Sequence, residues 1–431
     1  MTAVGVCPVA HGQVNLFDRA FIESPDGLLA ELRETAPVHF DEITGCWLVS
    51  KHADIRTVLS KPQMFRPENA LTAVTHIDPS ALRILARVGF ELPPTLANNG
   101  GTSHAELRSL VRQFFAPAKI SAVLPLIREL ASDAAELVKQ DLDAGDEGDL
   151  VALVTRDLPA RVLISLLHLE DIDLPTLKRW SSDSLELFWG NPDAERQREL
   201  AVQAAAFYSW LRDRITSADP LGSSLFSVLA AHRTADGCAL RVQESIGICY
   251  FLLVAGQETT TQFLSTVLRK LIGQPELWRR LSKAGAFPDE LIASECVEEV
   301  LRLETPVVTW RRITTDEVLL GDQVLPAGAQ VLLMLAGSGS DPDVFQDPER
   351  FLPGRDAARQ HLAFGFGRHY CLGATLARIE AQEVLLILAR ELPDIQLTQT
   401  QPPMLGLLSF RAPLRLLVAS APREGYDPPV H

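Results

Sequence analysis

Phe364-Gly365-Phe366-Gly367-Arg368-His369-Tyr370-Cys371-Leu372-Gly373 decides how the rest of the chain reads. Its three glycines permit tight turns and let the backbone approach a flat ligand closely. A helical pattern begins at Ala374, so Cys371 stands just ahead of a helix N-terminus, where backbone N–H groups and the positive dipole end stabilise a thiolate. Deprotonated sulfur is what a metal ligand has to be. A lone cysteine is most often a small buried hydrophobe, and Gly-Phe-Gly alone says little. The whole pattern F-G-x-G-x-H-x-C-x-G is another matter, because so many fixed positions in so short a stretch rarely coincide by chance.

Working outward, the composition is that of a folded protein: 431 residues, 47% hydrophobic and 22% charged, without low-complexity tracts. A net charge of −15 argues against a nucleic-acid binder, which usually carries a basic face. Cys7, Cys46, Cys238, Cys249, Cys296 and Cys371 show no paired spacing, neither a disulfide framework nor a zinc site, which fits a reducing, cytoplasmic setting. Met1 to Asn15 lacks the basic and apolar regions of a signal peptide. The longest apolar run, Ile246 to Gly256, is far short of the ~20 residues of a membrane span, so we expect a soluble protein.

Helical spacing runs through 127–138, 149–167, 204–215, 243–271, 277–284, 291–303 and 374–392. Strand signals are fewer. Val38-His39-Phe40 and Cys46–Ser50 read as a hairpin, Val318–Leu325 and Val331–Leu335 as strands flanking a turn at Pro326-Ala327-Gly328, and Leu414–Val418 as a last strand. With no linker and no internal repeat, residues 1–431 are expected to form a single domain, mainly α with minor β, its smaller sheet region set against a helix-rich body.

Three further constellations carry chemistry. Ala255-Gly256-Gln257-Glu258-Thr259-Thr260 places small and polar residues inside a very apolar helix, where buried Glu and Thr need partners. Glu299-Val300-Leu301-Arg302 sets an acid and a base on one helix face, by itself the mark of a surface ion pair. His104 and Arg108, four apart, share a helix face, and Arg311 and Arg312 lie adjacent further on.

The cysteine segment resembles the haem-binding loop of the cytochrome P450 family, and the other constellations stand in that family's order from about Trp47 to the C-terminus. By that resemblance Cys371 is the iron ligand, Phe364, Gly365 and Gly373 shape the loop around it, and the fold is the family's. Ala255 and Gly256 leave room for haem b (iron protoporphyrin IX). Thr259 and Glu258 form the relay that delivers protons to dioxygen; the acid is Glu here instead of the commoner Asp. His104, Arg108, His369 and Arg312 meet the propionates, with Arg311 a competing candidate. Glu299, Arg302 and Arg350 are implied to lock the region beside the cysteine loop. Two stretches depart from the family: Gly337-Ser338-Gly339-Ser340-Asp341-Pro342 replaces A-N-R-D-P, and Arg411-Ala412-Pro413 replaces Arg-Gly-Pro.

The activity implied is that of a monooxygenase inserting one oxygen atom from dioxygen into a C–H bond, or across a double bond, of a moderately sized, largely apolar small molecule, with a secondary metabolite as the family-level expectation. Electrons derive from NAD(P)H through separate proteins, a ferredoxin-type or flavodoxin-type partner being expected to dock on a basic patch that includes Arg108, Arg112, Arg355 and Arg368. Phe251, Val254, Val308, Thr309, Ser409 and Phe410 are expected to face substrate, and residues between Leu82 and Asn99 to form an irregular lid. We expect a monomer with no membrane and no nucleic-acid partner. A peroxide-driven peroxygenase is disfavoured by the Glu258-Thr259 pair. Ring coupling, desaturation or nitration on the same scaffold, or a non-catalytic haem or ligand-binding protein, are the other readings.

Overall fold

The long helix Val242–Ile272 organises the molecule, and its placement follows from its composition. Glu244 accepts the backbone N–H of Arg241 at its start, Arg269 and Lys270 complement the dipole at its end, and Gly273-Gln274-Pro275 stops it. Its side chains are buried nearly all the way round, as an interior helix requires. The computed structural model describes residues 15–169, 171–283 and 290–421. The N-terminal reading of Met1 to Asn15 therefore lies, up to residue 14, outside the described residues, as do Cys7 and Ala284.

Two hydrophobic cores meet along that helix. One joins its C-terminal half to helices Pro117–Asp143, Pro275–Ser282, Glu290–Leu303 and Ala374–Glu391. The other joins its N-terminal half to Leu174–Trp189, Ala194–Thr216 and the region around Leu85 and Leu96. The polar stretch 255–260 falls at the junction, where neither core closes over it. That junction holds the site.

The principal sheet runs in the order Val38–Asp41, Cys46–Val49, Gln330–Leu333, Trp310–Thr314, Phe65–Arg66. The first two strands are the expected hairpin, and Cys46–Val49 lies parallel to Gln330–Leu333. Strand Trp310–Thr314 escaped the sequence reading because two adjacent arginines mask its alternation; it pairs antiparallel with Gln330–Leu333. The expected pairing around Pro326-Ala327-Gly328 is corrected accordingly. Val318–Leu320 and Gln323–Leu325 close on each other as a hairpin of their own, and Leu335 begins a short helix. Residues 149–167 are not one helix: Gly148–Asp149 pairs with the last strand, Val151–Thr155 is a π-turn, and Leu158–Leu166 is α-helical. The last strand is Leu417–Ser420. The lid also divides, since Pro79–Arg87 is a regular helix and only the residues after it are irregular.

Candidate active site

One cavity is lined by both Cys371 and Thr259. The loop carrying the cysteine folds on itself through Gly365 N–H to the Leu362 carbonyl and Cys371 N–H to the Phe364 carbonyl, 2.8 and 2.9 Å. Gly365 and Gly367 take φ of 72° and 70°, a region closed to most L-residues, which is why glycine stands there. Burial pushes the Cys371 thiol up from its ordinary range, while the N–H groups of Gly373 and Ala374 and the guanidinia of Arg108 and Arg378 pull it back. The helix-start effect is thus present but opposed by desolvation.

On the opposite wall Ala255, Gly256 and Thr259 face the cavity. Thr259 donates to its own helix at the Ala255 carbonyl, 2.7 Å away. Gly256 has a different reason from the one its sequence suggests. A Cβ there would come within 3.1 Å of Leu163, so the missing side chain serves close helix packing as well as the cavity. Glu258 points away from the cavity. Its Oε1 accepts from Lys178 Nζ at 2.5 Å, both side chains being about 10% exposed, and Lys178 also donates to Gln257. Gln257 in turn donates to Ser181. This clamp fastens the polar stretch to helix Leu174–Trp189, and Lys178, about eighty residues from its partner, leaves no local signal in the sequence.

A haem brings two carboxylates, which need buried donors or cations. His104 Nδ1 accepts from Arg368 Nε at 3.1 Å, so its proton sits on Nε2, and that buried Nε2–H has no partner among the described residues. Burial, with Arg368 and Arg108 nearby, brings His104 down to about 4, so the ring is neutral at physiological pH. Arg312 is 2% exposed, yet among the described residues its side chain donates only to the neighbouring Arg311 carbonyl. A donor without a partner and a buried guanidinium without an ion pair, both among the described residues, are what two carboxylates would satisfy. The residues fit the group. The pleat also decides between the two arginines, since successive strand residues face opposite sides: Arg312 lines the cavity, while Arg311 donates to the Ala70 and Thr72 carbonyls. Arg108 lines the cavity and holds the Tyr370 carbonyl at 2.5 Å. His369 also lines it, but its Nε2 lies 2.9 Å from the Asn99 carbonyl, which takes the one N–H of a neutral ring. Burial holds His369 at about 3. Gly373 lines the cavity, although an added Cβ would make only ordinary contacts with Cys371 and Phe115.

Of the expected substrate-facing residues, Phe251, Val254 and Phe410 line the cavity. Val308, Thr309 and Ser409 do not. Thr309 Oγ1 donates to the Leu408 carbonyl at 2.9 Å and meets Ser409 Oγ at 3.0 Å, so both hydroxyls are satisfied inside the protein. Val307, bridged to Phe410, and Trp310 take their places. From the lid, Leu92, Leu96 and Ala97 reach the cavity.

Glu299 and Arg302 form a fully buried pair, with Arg302 Nη2 2.7 Å from Glu299 Oε1, and not a surface one. The third member is Arg355, whose Nε lies 3.2 Å from the same oxygen and whose side chain is 8% exposed. Arg350 is corrected on both counts: its side chain is 70% exposed and near Asp347, and only its carbonyl serves the cluster, accepting from Arg302 and Arg355. Arg355 is correspondingly unavailable for docking. Gly339 explains one departure in the chain, because a Cβ there would meet the Arg302 carbonyl oxygen at 1.7 Å. In the same stretch Asp341 accepts the His52 N–H at 2.8 Å. A second cluster, missed in the sequence, joins Glu298 to His361 and Arg378 beside the cysteine loop.

A profile of the cytochrome P450 family matches residues 226–404. The chain is similar to the mycinamicin IV hydroxylase/epoxidase of Micromonospora griseorubida, 33% identical over 91% of this chain and 94% of that one. It is 31% identical to the cyclomarin C epoxidase CymV of Salinispora arenicola, over 82% and 85%. Among solved structures, cytochrome P450 CREJ in complex with (4-ethylphenyl) dihydrogen phosphate superposes with a TM-score of 0.88 at 30% identity, covering 95% of this chain and all of that one.

Proposed function

The chain belongs to the cytochrome P450 family, a haem-thiolate monooxygenase using dioxygen, and on that premise we propose that it hydroxylates or epoxidises a neutral, largely apolar small molecule, such as a secondary metabolite, held between Cys371 and Thr259. The observation that carries this is the cavity joining those two side chains, walled mostly by Leu, Val, Phe and Trp, with Arg108 and Arg312 as the cations in its lining. A charged substrate group among those walls would lose hydration without a partner.

Haem b, when bound, supplies the oxygen activation, its iron ligated by the Cys371 thiolate. What this chain contributes is position and protons. His104 Nε2–H, Arg108 and Arg312 would hold the haem carboxylates. Phe251, Val254, Val307, Trp310 and Phe410 exclude water and orient the substrate. Glu258, whose Oε1 Lys178 Nζ holds, is the acid of the proton relay in this reading, and Thr259, whose hydroxyl can both accept and donate, is its end at the cavity.

Electrons come from separate redox partners, and we infer an acidic ferredoxin-type or flavodoxin-type protein docking near the cysteine loop at Arg112 and Arg368, since Arg108 is turned into the cavity wall. Charge reversal at Arg112 and Arg368 is expected to slow reduction and flatten its salt dependence. Among the described residues no single helix is long and apolar enough to cross a membrane; we propose a cytoplasmic monomer in which residues 1–431 form one haem domain.

The test is the ferrous–carbon monoxide difference spectrum followed by turnover. A strongly red-shifted Soret band, lost in Cys371→Ala, and NADPH-dependent product from a neutral apolar compound with a surrogate redox pair are expected. A band at the wavelength of histidine-ligated haem would overturn the reading.

A further inference from the structure

Arg378 lies on helix Ala374–Glu391, two turns beyond Cys371, and its surroundings fix where its charge sits. Nε and Nη2 grip both oxygens of Glu298, which is 3% exposed, from helix Glu290–Leu303. His361 holds the same carboxylate through Nε2 at 3.1 Å while its Nδ1 accepts the Ala363 N–H, so this histidine is neutral and donates. The network is therefore one buried anion and one cation whose side chain is 20% exposed. The two charges do not face the same way. The guanidinium carbon stands 4.5 Å from the centroid of the Phe364 ring, and Nη1 reaches towards the Tyr370 hydroxyl and the Ala374 carbonyl. Phe364 lines the cavity beside Cys371 and its carbonyl accepts the Cys371 N–H. The cation is the member of the pair that meets the Phe364 ring.

We propose that Arg378, held in place by Glu298 and His361, is a positioning residue that sets the electron-donor strength of the Cys371 thiolate, and with it the reduction potential of the bound iron, by presenting its guanidinium to the sulfur across the Phe364 ring. This rests on the haem-thiolate reading above. A fixed positive charge in a low-dielectric surrounding favours the state with one more electron, and outer partners of a metal ligand are recognised levers on potential. The neighbouring Glu299 anchors the segment ahead of the loop through Arg302 and Arg355. Glu298, next to it in sequence, anchors the loop itself.

Opposite charges give opposite signs, which a loosened loop cannot imitate. The potential of the haem-loaded protein is measured by spectroelectrochemical titration, with the ferrous–carbon monoxide band recorded for every variant. Arg378→Met is expected to lower the reduction equilibrium constant about tenfold, ~59 mV for a one-electron couple. Glu298→Gln is expected to raise the potential, Arg378→Lys to stay near the parent, and the double variant Arg378→Met/Glu298→Gln, which leaves no unpaired buried charge, to return towards it. Shifts of one sign in both single variants, a Lys variant displaced as far as Met, or a double variant displaced as far as Arg378→Met would each overturn the proposal. A parent protein without a thiolate-type band removes the haem-thiolate reading, whereas intact bands with unmoved potentials remove only the role of Arg378.

Discussion

Replacing Arg355 by Met should unsettle the protein far more than the same change at Arg350. Arg355 pairs with Glu299 at 3.2 Å and donates to the carbonyls of Gln346, Asp347 and Arg350. Its loss does not strand Glu299, which keeps Arg302 and the Leu352 N–H at 2.9 Å. The cost therefore falls at the low end of the range for a broken buried pair, about 3 kcal/mol. That is roughly a hundredfold in the folded-to-unfolded ratio. An unfolding entropy of ~2.1 cal/mol/K per residue gives a chain of 431 residues ~0.9 kcal/mol/K, so the melting temperature should drop by about 3 °C. Arg350, 70% exposed and 3.7 Å from an exposed Asp347, should shift it by less than ~1 °C. Thermal melts of the haem-loaded proteins, followed at the Soret band and by circular dichroism at one scan rate, distinguish the two. Equal losses from both variants, or none from Arg355→Met, would refute the assignment of the third partner.

Lys178→Met leaves Glu258 buried without its cation and should cost about 3–5 kcal/mol. Adding Glu258→Gln should recover part of that, and a double-mutant cycle showing no coupling would sink the clamp. Val307→Phe narrows the cavity and should weaken type I substrate binding several-fold, whereas Ser409→Ala should leave it unchanged; the reverse order in spectral titrations contradicts the assignment of the wall. At Glu298 burial opposes ionisation, but hydrogen bonds from His361 and Arg378 outweigh it and hold the carboxyl at about 2. A folded pKa below the ordinary 4.5 means the stabilisation is present above about 4.5 and fades as pH falls towards 2. The stability gap between the parent and Glu298→Gln, measured by denaturant titration, should therefore close across that window; a constant gap would show that the charge contributes nothing.

The helices at 243–271, 291–303 and 374–392 were legible because each carries its apolar spacing and its stop signals within itself. Strand Trp310–Thr314 was not, because its pattern is interrupted by two arginines buried on opposite faces of the sheet, each for a different partner. The same holds within the site. Cys371, Thr259 and the Glu299–Arg302 pair belong to motifs a few residues long, whose local geometry a turn or a helix dictates. Arg355 replaced Arg350 because the fold returns the chain to Glu299 five residues later than the motif suggests.

The amino-acid sequence alone determined the helix-rich architecture, the loop that carries Cys371, and the polar break in the central helix, since each depends on residues close together along the chain. Tertiary structure decided which arginine faces the cavity, that Val307 and not Val308 walls it, and that Lys178, Arg355 and Arg378 hold the buried Glu258, Glu299 and Glu298. Those choices rest on contacts between distant segments, where the pleat of a strand or the crossing of two helices selects a partner that no local spacing encodes.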